Sequence, residues 1–194
     1  MSGRVLVARL DNVGDVLLVG PAVRAVAAHA DSVVMLAGPK GRPAAELLPG
    51  VDEVIEWCAP WIDPRPPAVD RRDMLEFVSR IRAADVDAAL VFTSFHQSAL
   101  PLALLLRMAE VPWIGAISED YPGSLLDLRH SVEGDPPEPE RALSLARAAG
   151  FEPAPEDTGR LALREPLPAV SDLVGADGYV VLHPGASVPA REWP

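Results

Sequence analysis

Short, nearly uninterrupted apolar runs alternate with segments of helical spacing along most of this chain, and no other feature restricts its fold so strongly. The runs are RVLVARL (4–10), SVVMLAG (32–38), EVIEW (53–57), AALVFTS (88–94) and VPWIGAI (111–117). A strand that is apolar on both sides needs cover on both faces, which is the condition of a parallel sheet held between two layers of helices. The covering segments are VLLVGPAVRAVAAHA (16–30), PAAELL (43–48), DMLEFVSRIRAA (73–84), an apolar stretch at 97–109 and PERALSLARAAG (139–150). Pro21 lies inside the first of them, so that helix either kinks there or starts near Gly20 with Pro21 in its first turn. Gly150 stands where a helix C-cap is expected. The expected fold is α/β, a Rossmann-like open parallel sheet with helices on both faces.

The last part of the chain breaks the rhythm. A Pro-rich linker at 151–168 leads to a short helical segment (168–176) and then to GYVVLHPGAS (178–187), read as a strand and loop. That strand either begins a second domain or adds an edge to the first sheet. The first option divides the chain into 1–168, a Rossmann-like domain with its linker, and 169–194, the beginning of a second domain.

Composition narrows the partners. Seventeen basic residues against 28 acidic give a net charge of −11, which opposes binding of nucleic acid and allows at most peripheral contact with an anionic membrane. An apolar content of 49% excludes disorder. The longest apolar run, at 99–106, is far short of the ~20 residues of a membrane span. The apolar stretch after Met1 is interrupted by Arg4, Arg9 and Asp11, unlike a signal peptide. Cys58 is alone, so there is no internal disulfide and no Cys-based zinc site, and a cytoplasmic location is expected. His29, His96, His130 and His183 lack metal-ligand spacing, so neither metal nor cofactor is expected.

In open parallel sheets ligands gather at the carboxyl ends of the strands. That selects the loops at 11–15, 38–42, 57–65, 93–97 and 118–121. The first turn, DNVGDV, lacks the paired glycines of a dinucleotide fingerprint, and GPKGRP (38–43) lacks the spacing of a phosphate-binding Walker loop. No GxSxG nucleophile elbow exists. Asp11 and Asp15 remain as candidates in the first turn. Either can simply cap a helix N-terminus; Asp15 can also serve as a general base, with Gly14 beside it leaving room for a substrate. The small-residue loop His183-Pro184-Gly185-Ala186-Ser187, followed by Arg191, suits a phosphate ligand or is an ordinary Pro-Gly turn.

Together these segments resemble glycosyltransferase family 9, the bacterial heptosyltransferases. VLVARLDNVGDVLLVGPAVRAV is similar to the family's opening strand, its Gly-Asp turn and the proline six residues beyond the Asp. VVLHPGASVPAREWP resembles the start of its nucleotide-sugar domain, and FTSFHQSALPLALLLRMAEVPWIGA shares the look of its middle segment. The resemblance implies the N-terminal domain of a GT-B enzyme, holding the acceptor, followed by the start of a donor domain. It implies metal-free, inverting transfer of heptose or a related sugar from an ADP-sugar to a glycolipid or other glycan of the cell envelope, as in lipopolysaccharide biosynthesis. The general base falls on Asp15, and donor-phosphate contacts fall on Ser187, Arg191 and Gly185. Candidate acceptor contacts are Gly14, Lys40, Arg42, His96 and Gln97, with Arg65 and Arg129 as further cations. Each of those cations also suits a solvated surface, and His96 and Gln97 also suit the cap of a helix starting at 97. The family's later donor residues have no counterpart here, so the chain alone is expected to be inactive. The alternative from another class is a non-catalytic sugar- or nucleotide-binding module, which expects Asp15 capped and buried with no open cleft around it.

Overall fold

The computed structural model of the protein describes residues 3–63, 65–167, 169–174 and 178–186. The chain divides into two units, Met1–Arg164 and Glu165–Pro194. The first contains β1 (Arg4–Arg9), α1 (Val13–Leu18), α2 (Gly20–Ala27), β2 (Ser32–Ala37), α3 (Arg42–Ala45), β3 (Glu53–Glu56), α4 (Arg71–Ala83), β4 (Ala88–Val91), α5 (Leu100–Met108), β5 (Trp113–Ile117), β6 (Leu128–His130) and α6 (Glu138–Ala148).

All six strands are parallel, in the order β3-β2-β1-β4-β5-β6. The order reverses between β1 and β4, the topological switch point at which such sheets leave a crevice beyond the strand ends. Alternation along the strands feeds two cores. Val5 and Val7 join Val16, Val23, Val26, Leu145 and Phe151 from α1, α2 and the region of α6. Leu6 and Ala8 join Phe77, Ile81, Leu102 and Leu106 from α4 and α5 on the other face. The five expected strands and both helical layers are observed.

Several boundaries differ from the expectation, each for a physical reason. The segment at 16–30 forms two helices, and Pro21 sits in the first turn of α2, where its missing N–H costs nothing. α5 starts at Leu100, so His96 and Gln97 lie in the preceding loop and do not cap it. β6 was not expected: it is three residues long, at the sheet edge, with exposed Arg129 in the middle. α6 ends as expected. Gly150 takes φ +90°, and the amides of Gly150 and Phe151 close onto the carbonyls of Arg147 and Ala146 at 2.8 and 2.9 Å, a Schellman motif.

The segment at 151–164 is tied to the first unit. Asp157 receives Nε and Nη2 of Arg24 at 2.6 and 2.8 Å, and the Arg164 amide donates to the Leu47 carbonyl at 2.7 Å.

In the second unit, α7 (Ser171–Val174) occupies part of the expected helix. The expected strand at 178–183 is not formed. Residues 178–186 carry no strand, the six-stranded sheet does not include them, and Val180, Val181 and Leu182 are exposed. A strand needs a neighbour to receive its backbone hydrogen bonds, and the described residues of this unit contain none.

Candidate functional site

Arg9 is the last residue of β1, at the switch point, and only 1% of it is exposed. A guanidinium there needs compensation, and three carboxylates converge on it. Nη1 meets Glu138 Oε1 at 2.7 Å, Nη2 meets Asp15 Oδ1 at 3.2 Å, and Nε lies 2.7 Å from Asp11 Oδ2. The Nε–H is misaligned with that oxygen, so this last contact is an ion pair and not a hydrogen bond. Nη2 also donates to Ser94 Oγ at 2.8 Å.

The loop after β4 completes the cluster. Ser94 Oγ donates to Asp11 Oδ2 at 3.1 Å, and Gln97 Nε2 donates to Asp11 Oδ1 at 2.5 Å. The Ser94 amide donates to Gln97 Oε1 at 3.2 Å. Arg141 of α6 donates to the Thr93 carbonyl at 2.8 Å and approaches Glu138 at 3.4 Å. The loops after β1 and β4 are thereby cross-linked to the N-terminal turn of α6. Asp11, 7% exposed, belongs wholly to this framework.

Asp15 differs from Asp11 in exposure: 32% of its side chain is accessible. It occupies the third position of α1, where Oδ2 accepts the Asn12 amide at 3.3 Å, one half of a capping box. An ionised carboxylate offers about four acceptor positions; Arg9 and the Asn12 amide fill two of them. The carboxylate is therefore oriented, capped and still open. Gly14, next to it, is exposed and helical, and a Cβ there would meet nothing within 4 Å. No backbone strain or packing requires glycine at that position.

The loop after β2 needs its glycines. A Cβ on Gly38 would collide with the Leu10 carbonyl oxygen, and one on Gly41 would stand 2.6 Å from Val16 Cγ2 and 3.0 Å from the Asp11 carbonyl oxygen. This loop packs directly against the turn that carries Asp11 and Asp15.

Of the four candidate cations, Lys40, Arg42 and Arg129 are engaged elsewhere, while Arg65 is exposed. Lys40 pairs with Asp63 at 2.8 Å and, with the Arg65 amide, holds that carboxyl below its usual range. Arg42 pairs with Glu46 at 2.8 Å and Glu56 at 3.6 Å. Arg129 donates to the carbonyls of Ser118 and Glu119, fixing the loop after β5. Gln97 is committed at both ends to Ser94 and Asp11. His96 is exposed, edge-on to the ring of Phe95, with centroids 5.2 Å apart. Gly185 has open space around it, and Ser187 and Arg191 lie outside the described residues.

A groove of about 330 Å³ opens beyond the ends of β4, β5 and β6, lined in part by Thr93, His96, Ser118, Asp135 and Arg141. Among the described residues no group of three His, Cys, Asp or Glu is placed to hold a metal ion, and no helix is long and apolar enough to cross a membrane. Where Asp11, Asp15 and Glu138 converge, the guanidinium of Arg9 stands at the centre.

Arg9, Ser94 and Glu138 escaped the sequence reading. Arg9 gave one signal, a charge inside an otherwise apolar run. Ser94 and Glu138 gave none, because they are 85 and 129 residues from the arginine they contact.

Fold and site define a Rossmann-type domain with an oriented, accessible carboxylate at its switch point. Solved structures of this fold include a glycosyltransferase family 9 protein from Veillonella parvula DSM 2008, with a TM-score of 0.67, 14% identity, and 98% of this chain and 56% of that chain covered. E. coli ADP-heptose lps heptosyltransferase II aligns with a TM-score of 0.61 at 22% identity, covering 84% of this chain and 47% of that one. E. coli heptosyltransferase WaaC with ADP-2-deoxy-2-fluoro heptose aligns with a TM-score of 0.61 at 19% identity, covering 82% and 52%. The chain spans about half the length of these proteins. The Rossmann-like domain expected from the resemblance to GT-B glycosyltransferases is the fold observed. No protein-family model matches the chain, nor does any curated protein.

Proposed function

We propose that this chain is the acceptor-binding half of an inverting family 9 glycosyltransferase. It acts in the cytoplasm and moves heptose or a related sugar from an ADP-sugar to a hydroxyl of a cell-envelope glycolipid or other glycan. The observation that carries the reading is Asp15, tethered by buried Arg9 yet one-third accessible at the switch point. A non-catalytic module would have that carboxylate buried.

A sugar hydroxyl is a weak nucleophile until a base takes its proton as the new bond forms at the anomeric carbon. Asp15 takes that proton. Arg9 and the Asn12 amide fix the carboxylate, so the hydroxyl meets one geometry and not a set of rotamers. Gly14 leaves space for the acceptor at the same turn. Gly185, Ser187 and Arg191 are assigned to the donor diphosphate, whose charge grows as ADP departs.

The test is Asp15→Asn in a protein that joins this chain to a nucleotide-sugar-binding domain, with ADP-heptose as donor. Asn retains the size and an oxygen that can accept the Asn12 amide. Turnover is expected to fall about 10²–10⁴-fold with the melting temperature nearly unchanged. Normal turnover at saturating donor would remove Asp15 from the chemistry. The 194-residue chain by itself is expected to bind ADP very weakly, and calorimetry giving micromolar affinity would contradict the division of labour between the halves.

A further inference from the structure

The groove beyond β4, β5 and β6 carries a signature that its neighbour, the Asp15 turn, does not explain. Its rim bears Glu119, Asp120 and Asp135, all exposed. Asp120 accepts the Ser98 hydroxyl at 3.2 Å; Glu119 and Asp135 form no ion pair among the described residues. Arg141 is the groove's only lysine or arginine among the described residues, and its Nη1 already meets the Thr93 carbonyl and Glu138. Deeper in, Thr93 is 6% exposed and lines the groove, yet its hydroxyl makes no hydrogen bond among the described residues. Phe95 projects from the same wall, 85% exposed, with His96 edge-on to it.

An exposed phenyl ring beside unpaired carboxylates is a recognition surface for an ammonium group, which is drawn both to the ring face and to the anions. The free hydroxyl of Thr93 offers a hydrogen bond to a polyhydroxylated ligand. A phosphate or carboxylate in this groove would instead face the exposed carboxylates, and the one arginine there is already paired with Glu138. We infer that the groove binds a saccharide bearing a protonated amine, and selects against its phosphorylated counterparts. Resting on the transferase reading, this makes the acceptor an amino sugar at the position seated in the groove.

The coupling to Asp15 is short. Thr93 and Ser94 are consecutive, Ser94 Oγ lies 2.8 Å from Arg9 Nη2, and the same Nη2 lies 3.2 Å from Asp15. A sugar seated on Thr93 and Phe95 thus lies beside the loop that orients the base.

The experiment is binding to the 194-residue chain, followed by amide chemical shifts. The probes are the glucosamine disaccharide, its N-acetylated form and glucosamine 6-phosphate. The amino disaccharide is expected to bind about two- to fivefold more tightly than the N-acetylated form, and the phosphate most weakly. Shifts should concentrate at residues 93–98 and 118–120. In the Glu119→Gln/Asp135→Asn double variant the preference for the amine should vanish, while binding of the N-acetylated form stays. Both substitutions are on the exposed rim and leave the fold intact. Tightest binding of the phosphate, an undiminished amine preference in the double variant, or no shift at the groove with any probe would each overturn the inference. Because no turnover is read, failure of Asp15 as a base and failure of the groove as an amine site are told apart.

Discussion

Replacing Arg9 by Met keeps the length and apolar stem of the side chain but withdraws the charge on which the site is built. The three carboxylates then lose their common partner unequally. Glu138 and Asp15 retain 26% and 32% side-chain exposure and can recover water, but Asp11, at 7% for the residue, cannot. Breaking a buried ion pair from one side costs about 3–5 kcal/mol. In a domain of this size each kcal/mol lowers the melting temperature by about 2–4 °C, so Arg9→Met should lower it by roughly 6–20 °C. Asp15→Asn removes only a partly exposed contact and should cost no more than about 1 kcal/mol. Thermal unfolding followed by circular dichroism compares the two directly. Arg9→Lys should fall between them, because an ammonium cannot reproduce a fork reaching Asp11, Asp15, Ser94 and Glu138 at once. A loss of less than about 3 °C in Arg9→Met, or an equal loss in Asp15→Asn, would refute the claim that Arg9 is the structural centre of the site.

Gly14→Ala should raise stability by up to about 1 kcal/mol, because alanine is the better helix former and its Cβ meets nothing. If the acceptor uses that space, turnover of the joined protein should fall even as the melting temperature rises. Gly38→Ala drives a methyl into the Leu10 carbonyl and should lower both stability and turnover, since the displaced turn carries Asp15. Asp157 is held below the usual carboxylate range, mainly by its hydrogen bond from Arg24. Its contribution is therefore complete above the ordinary carboxylate pKa of about 3.9 and is lost as pH falls through the lower folded value. Melting curves taken below about pH 5 should accordingly fall less steeply in Asp157→Asn than in the parent; an unchanged acid slope would contradict this.

The sheet was legible because burial on both faces leaves a plain mark: Val5, Leu6, Val7 and Ala8 are all apolar. β6 left no such mark, since a three-residue edge strand needs no apolar pattern. The 178–183 segment erred in the opposite direction. Its apolar residues satisfy the propensity of a strand, but propensity does not supply a neighbour. At the site, sequence position singled out Asp15 and Gly14, whose roles are local to one turn. It offered Asp11 only as a helix cap, but Asn12 takes that position and Asp11 is buried beside Arg9. It offered Lys40 and Arg42 as acceptor contacts, but their nearest partners, Asp63, Glu46 and Glu56, come from other segments or another turn.

The contact between Arg9 and Glu138 sets an order of events for the newborn polypeptide. At about 5–20 residues per second, the ribosome adds the 129 residues between them in roughly 6–26 s. During that interval the segments of β1 through β6 are synthesised, ahead of the last anion that the central guanidinium needs. Asp157 reaches Arg24 across 133 residues and arrives later still. The framework can thus assemble from local pairings, while the polar cluster around Asp15 is completed only when α6 packs against it. A nascent chain stalled before residue 138 would carry an apolar sheet with an unsettled charge at its heart, the kind of partly built species on which chaperones and proteases act. Maturation of the site therefore waits for α6.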